Sequence, residues 1–226
     1  MIGIIGAMDE EIYELKRIID VKEEKKIYDV DFYIWTLNNK EVILVKSKIG
    51  KVASSFVTTL LINNFDIDYI INIGTCGAVN SKLKYLDIVV ASKLIYHDAD
   101  VRAFGYDFGQ MAQCPKYFEV DKDLLERAKK FNNVHIGDVV SGDQFIDDAY
   151  NMKRKVDEYF KDYDVLACDM ESTSIAHVSY LANVPFIIIR TISDVLDFDG
   201  TKRDFQELAM ESCKILAHFI EEYIYE

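Results

Sequence analysis

The chain has 226 residues, half of them hydrophobic and 29% charged, with Lys+Arg 26 against Asp+Glu 39 and a formal charge of −13. That length buries a full core without disulfide or metal staples, and the composition excludes a disordered polymer. The acidity argues against phosphate backbones and anionic lipid as partners, so neither nucleic acid nor membrane is expected. No apolar run approaches the ~20 residues of a membrane span. Cys76, Cys114, Cys168 and Cys213 are too scattered for a CxxC motif and read as reduced thiols of a cytoplasmic protein. The first residues lack the basic stretch and cleavage site of a secretion signal.

In chain order, Met1 to Ala7 is an apolar run that predicts a buried strand. Asp9 to Asp20 follows as a helix, with Ile12, Leu15, Ile18 and Ile19 on one face and acids in the first turn, where the helix dipole favours them. Lys26 to Ser47 reads as two or three strands turning at Asn38-Asn39-Lys40. Val52 to Ile62 predicts a helix, Tyr69 to Gly74 a buried strand, Asp87 to Ile95 another strand, and Asp98 to Gln113 a long loop. Asp121 to Phe131 predicts a helix, and Val134 to Val140, Val165 to Cys168 and Phe186 to Arg190 predict strands. Ser172 to Leu181 and Phe205 to Tyr223 predict helices. No repeat or linker divides this order. It describes one α/β domain over residues 1–226, with a mixed, largely parallel sheet flanked by helices and its chemistry in loops at strand ends.

Four strand ends hold the candidate residues. In Gly6-Ala7-Met8-Asp9-Glu10-Glu11 the acids either complement the helix dipole or turn one carboxylate into a cleft as a base. Gly74-Thr75-Cys76-Gly77-Ala78 reads as a tight glycine-rich turn, plain or with its N–H groups aimed at an anion; it is neither GxGxxG nor a P-loop. Cys168-Asp169-Met170-Glu171-Ser172 places two acids at a strand–helix junction, with Ser172 or Thr173 as the helix cap. A carboxylate so close behind Val165-Leu166-Ala167 is partly buried and needs a partner such as a sugar diol or a cation. In Ile192-Ser193-Asp194-Val195, Asp194 is a cap, an ion-pair partner of Arg190 or a catalytic acid. A metal set drawn from His97, Asp98 and Asp100 lacks HxH or HxxxH spacing, so no metal site is expected, and no G-x-S-x-G elbow is present.

In order and spacing these motifs resemble the nucleoside phosphorylase/hydrolase superfamily and, within it, the 5′-methylthioadenosine/S-adenosylhomocysteine nucleosidases. The likeness runs through Ile4 to Glu11, Ser47 to Ala53, Tyr96 to Val101, Ala103 to Tyr106, Ser141 to Ile146, Met170-Glu171, Ile175 to Val178 and Arg190 to Val195. It implies a nucleoside phosphorylase-like fold, a homodimer, and no metal or organic cofactor. The implied reaction is hydrolysis of the N-glycosidic bond of 5′-methylthioadenosine and S-adenosylhomocysteine, with 5′-deoxyadenosine as a further substrate. Adenine is the product, in nucleoside catabolism and methionine salvage.

The resemblance also implies roles. Asp194 protonates the purine at N7, with Ser193 orienting it. An ordinary Asp titrates at about 3.9, so this one must be held protonated by desolvation or neighbouring acids. Glu11 activates water, Glu171 binds the ribose hydroxyls, and Met170 packs beside the sugar. Asp169 stands where the family has a Glu that helps hold the ribose side. Phe145 stacks on adenine while the backbone of Ile146 bonds its edge, and Met8, Thr75 and Gly77 complete the binding set. Phe205 lies near the 5′ end, and Val101 and Phe104 reach the partner's pocket. On their residue types alone, simple core residues are the alternative reading of Phe145, Ile146 and Met170.

Two stretches depart from the family pattern. The nucleosidases carry Ser-Ala-Gly-Gly after the central strand glycine, whereas Gly74 to Val79 is closer to the purine nucleoside phosphorylases, and Phe198 to Arg203 does not align. Phosphorolysis, the first alternative, needs cations for phosphate, ideally bidentate arginines. This chain has no Gly-Asp-Pro-x-Arg at Gly6, and Asn72 stands where an arginine is expected. Hydrolysis is therefore the expectation. The presence of Glu11 and Asp194 speaks against the second alternative, a non-catalytic nucleoside-binding protein.

Overall fold

The apolar runs Ile2–Gly6, Val42–Val45 and Phe186–Ile189 are buried throughout, as expected of strands covered on both faces. The computed structural model describes residues 1–146, 149–195 and 205–226, with the backbone alone at 149 and 205–209. Its elements are β1 (Ile2–Gly6), α1 (Asp9–Ile18), β2 (Glu23–Ile27), β3 (Val30–Leu37), β4 (Lys40–Lys46), α2 (Lys51–Asn64), β5 (Tyr69–Ala78) and β6 (Ile88–Tyr96). They continue with β7 (Phe118–Glu119), α3 (Lys122–Ala128), β8 (Val134–Ser141), α4 (Ala149–Tyr159), β9 (Val165–Asp169), α5 (Ser172–Ala182), β10 (Phe186–Val195) and α6 (Phe205–Tyr225).

Side chains alternate between two apolar layers. Ile5, Ile43, Val45, Ile70 and Ile188 face a layer shared with Val57 and Leu61 of α2 and Ile175 of α5. Their neighbours Ile4, Val42, Leu44, Ile71 and Ile187 face the layer of Leu15 from α1 and Leu216, Ile220 and Tyr223 from α6. Each fully buried aliphatic side chain stabilises by roughly 1.5–3 kcal/mol before entropy is counted.

Strands β5, β10, β6, β8 and β9 pair in turn, and β9 returns to β5, so they close into a ring. Outside it, β1 lies on β5 and continues through β4 and β3 to β2 as an open wing. Among the described residues the sheet is mixed rather than largely parallel. Five ladders are parallel and five are antiparallel. One of the antiparallel ladders has a local cause: β3 and β4 are joined at Asn38 and Asn39, both in the left-handed region (φ 48° and 59°), a two-residue hairpin that only antiparallel strands can use.

Further differences touch the site. β5 runs past Gly74 to Ala78, and β10 runs past Arg190 to Val195. The expected turn at Gly74 to Ala78 is thus strand. The helix α4 fills a stretch given no element from the sequence; Met152 and Val156, four apart, share one of its faces and pack in a cluster with Phe160, the residue after it. No helix of the described residues is long and apolar enough to cross a membrane.

Candidate active site

A cavity of about 240 Å³ opens where β1, β5, β9 and β10 end. Its walls include Met8 and Glu11 from the start of α1, Thr75 and Gly77 from β5, and Phe145 and Ile146 from the loop after β8. Asp169, Met170 and Glu171 at the β9–α5 junction and Ser193 and Asp194 at the end of β10 also line it. Val101 and Phe104 do not line it. Val101 precedes the short 3₁₀ turn Arg102–Phe104, whose last residue, Phe104, is 82% exposed. The side chain of Phe205 lies outside the described residues.

Glu11 is the third residue of α1, and its carboxylate folds back over the helix start. Oε2 accepts from the N–H of Ala7 (2.7 Å) and of Met8 (3.1 Å). Oε1 accepts from the N–H of Thr75 (2.9 Å) and its hydroxyl (3.3 Å). Of the three acids at this helix start, Glu11 is the one turned inward and buried. The anion met by the glycine-rich stretch is therefore this carboxylate. Gly74 is required by close approach, because a Cβ there would sit 2.0 Å from Arg190 Nη1 and 2.6 Å from Glu11 Oε1.

Register explains Asp194. Along β5 and β10, Ile192 faces Cys76 and Asp194 faces Gly77, so Ser193 is an extra residue in β10. A regular strand sends neighbouring side chains to opposite faces; this bulge lets both Ser193 and Asp194 line the cavity.

Beneath them Arg190 is fully buried, and its guanidinium is spent on protein partners rather than offered to the cavity. Nη2 meets Asp169 Oδ2 at 2.8 Å, Asn72 Oδ1 at 2.7 Å and Glu171 Oε2 at 3.9 Å, and Ser172 Oγ lies 2.9 Å away. Burial works against its charge, but Asp169, Glu11 and Glu171 outweigh it and keep it protonated. The Asp169 carboxylate also accepts from Ser141 Oγ (2.6 Å) and from the N–H groups of Glu171 (3.3 Å) and Ser172 (3.2 Å). The N-cap of α5 is thus Glu171, not Ser172 or Thr173; the first free N–H groups of the helix go to Asp169, from Ser172, and to Ser141 Oγ, from Thr173 (2.9 Å). The remaining acid, Glu171, accepts from the N–H of Gly50 (2.9 Å). Burial, and next the neighbouring Asp169, push its carboxyl up to about 7 against the pull of Arg190.

On the open side Phe145 is 65% exposed, so it is not a core residue, while Ile146 is half-buried against the α4 cluster. Sequence reasoning missed several wall residues. Ile49, 55% exposed, and Gln144 lie within stretches that carried the resemblance but were given no role. Cys76 and Cys168 form apolar wall; burial pushes the first thiol well up and the second to about 12. Arg190 was weighed only as a partner for Asp194, because a strand-interior arginine carries no local signal of the carboxylates it will meet. Among the described lining residues four are acids, Glu11, Asp169, Glu171 and Asp194, and none is Lys, Arg or His. Such walls suit a neutral ligand with hydroxyls and a flat apolar face, and they repel phosphate.

A family model described as the phosphorylase superfamily matches residues 1–224. A 5′-methylthioadenosine/S-adenosylhomocysteine nucleosidase of Staphylococcus saprophyticus is 46% identical over 205 residues, covering 88% of this chain and 89% of its own. The solved structure of the S. pneumoniae nucleosidase of that name, with a transition-state inhibitor, superposes with a TM-score of 0.90 at 35% identity, covering 99% of this chain and 97% of that one. A futalosine hydrolase of Helicobacter pylori superposes with a TM-score of 0.91 at 32% identity, again covering 99% and 97%.

Proposed function

The chain belongs to the phosphorylase superfamily and, within it, to the 5′-methylthioadenosine/S-adenosylhomocysteine nucleosidases, and from that footing we propose how its residues divide the reaction. The enzyme hydrolyses the N-glycosidic bond of 5′-methylthioadenosine and S-adenosylhomocysteine and releases adenine. Asp194, with Ser193 orienting it, gives a proton to N7 of the purine as the C1′–N9 bond breaks. Water adds to C1′, and Glu11 takes its proton. General acid or base help of this kind contributes ~10²–10⁴-fold each. Glu171 holds the ribose hydroxyls beside Met170, while Asp169 fixes Arg190 and through it the place of Glu171. Phe145 and the backbone of Ile146 take the adenine, and Met8, Thr75 and Gly77 shape the remaining wall.

The observation that carries hydrolysis over phosphorolysis is the acidic lining without a cation among the described residues. Arg190 does not substitute for phosphate-binding arginines, since Asp169, Asn72 and Glu171 already occupy it. The whole chain serves as one catalytic domain, in keeping with the family match over residues 1–224. A homodimer in which Val101 and Phe104 enter the partner's pocket gives the exposed Phe104 ring a place to bury. Unpaired cysteines suit a reducing cytoplasm. 5′-Deoxyadenosine is a further substrate, and the likeness to a futalosine hydrolase favours testing a larger 5′ group as well.

The test is adenine release from 5′-methylthioadenosine with and without phosphate, the sugar product being identified. Equal rates and free methylthioribose support the reading. Phosphate dependence with a sugar 1-phosphate transfers it to the phosphorylases. Release from a futalosine-type nucleoside alone keeps the chemistry and changes the 5′ specificity.

A further inference from the structure

Three loops around the cavity meet at one side chain outside it. Lys51 is the first residue of α2, directly after Gly50, whose N–H holds Glu171. Its Nζ lies 2.7 Å from Asp98 Oδ2 and 3.8 Å from Asp143 Oδ2. Its own N–H donates to Asp143 Oδ1 (2.8 Å), and the N–H of Asp143 donates to Asp98 Oδ2 (2.9 Å). The ammonium also sits 5.4 Å from the ring centroid of Tyr96, the last residue of β6. Asp98 is three residues before Val101, and Asp143 is two residues before Phe145. The same knot therefore ties the Gly50 donor, the base-facing loop and the partner-facing loop.

Charge explains why a cation stands there. Gly50, at the N-cap of α2 with φ 95°, brings no capping side chain; carboxylates from elsewhere occupy that helix end instead, Glu171 on Gly50 and Asp143 on Lys51. With Asp98 on Lys51 Nζ, three acids contact Gly50 and Lys51 at the start of α2. Burial works to raise the Asp98 carboxyl, yet Lys51 and the Asp143 N–H hold it below its ordinary value. The Lys51 side chain is 27% exposed and Asp98 15%, so the pair is screened less than a surface ion pair.

We propose that Lys51 is a positioning residue for the reaction, clasping Asp98 and Asp143 so that Gly50 is set against Glu171 and Phe145 against the base in one step. The inference rests on the roles given above to Glu171 and Phe145. Losing the clasp loosens both grips on the nucleoside while leaving Glu11 and Asp194 in place, so substrate binding suffers more than turnover.

The test compares Lys51→Met, Lys51→Arg, Asp98→Asn and Lys51→Met/Asp98→Asn in adenine release. The methionine variant is expected to raise KM ~10-fold with kcat within ~3-fold, and arginine to recover most of the loss. The double variant should lose no more than the worse single one, since both remove the same contact. A methionine variant within twofold of wild type, arginine no better than methionine, or additive losses overturns the proposal. Asp98→Asn decides it by the same KM shift where Lys51→Met fails to fold. If wild type releases no adenine, the function assigned above falls, and backbone hydrogen exchange decides the clasp. Exchange across 98–104 and 142–146 at least ~10-fold faster in a folded Lys51 or Asp98 variant upholds it, and unchanged exchange overturns it.

Discussion

The closed ring and the open wing of this sheet treat polar residues in opposite ways. On the ring strands Asn72, Asp138, Ser141, Asp169, Arg190 and Thr191 are all buried. In the wing, Glu23, Glu24, Lys25 and Lys26 of β2 are all exposed, and the buried positions of β3 are Val30, Phe32 and Trp35. Burying an ionised group costs several kcal/mol unless it is paired and hydrogen-bonded, so the ring accepts a cost the wing avoids. The difference lies in what each region must present. Ring closure brings strand ends together around a small cavity whose walls include the buried carboxylates of Glu11, Asp169 and Glu171. The wing has only to cover hydrophobic surface and protect its edge.

The contrast predicts that ring substitutions move activity and stability separately. Asp194→Asn, the largest effect, is expected to lower kcat by ~10³-fold, within the range of a lost general acid. The side chain keeps its shape and lies at the wall of a cavity, so folding and nucleoside binding should persist. Binding by calorimetry with turnover near wild type would remove Asp194 from the chemistry. Loss of folding would instead make it part of the structural network around Arg190.

That separation also explains what the sequence made legible. The core strands were readable because a strand buried on both faces reads as a short continuous apolar run, as at Ile4-Ile5 and Val42-Ile43. The four acids were readable because each lies within a few residues of the end of an apolar run. Strand direction was not, since a residue buried on either face looks the same in parallel and antiparallel ladders. The bulge at Ser193 was hidden too, because it depends on the register of β10 against β5. Arg190 was read only as a partner for Asp194, and Asn72 only as standing where an arginine is expected; their joint role comes from a contact across 118 residues, Arg190 Nη2 to Asn72 Oδ1, and from Asp169 and Glu171, which the fold brings onto the same guanidinium.

Glu171 sharpens the comparison by setting function against stability within one residue. Its carboxyl is pushed from an ordinary 4.5 up to about 7, first by burial. Folding thus favours the protonated form. That contribution is full below the unfolded value and is lost as pH rises through about 7. Glu171→Gln, which resembles the protonated side chain, should match wild type near pH 4 in thermal unfolding. At about pH 8 it should be the more stable protein, by on the order of 2 kcal/mol, while kcat/KM falls because the ribose loses its carboxylate. Equal stability at both pH values would show that Arg190 fully compensates this charge.

The wing supplies the smallest effect and the control for the rest. Lys26 pairs with Asp29 at 3.0 Å and Asp31 at 3.7 Å, but all three side chains are more than half exposed. The hydrogen bond to Asp29, then Asp31, raises the Lys26 ammonium above its ordinary value, yet water and salt screen the pair almost completely. Lys26→Gln should therefore move Tm by less than about 1 °C and leave adenine release unchanged, and added salt should erase even that difference. A fall of several degrees would mean that the β2 edge belongs to the same cooperative unit as the buried ring. The cost of polar burial would then not be what separates the two regions. With Lys26 neutral and Glu171 costly, identical ionic chemistry has opposite weight in one sheet, set by whether the strands around it leave the charge in water.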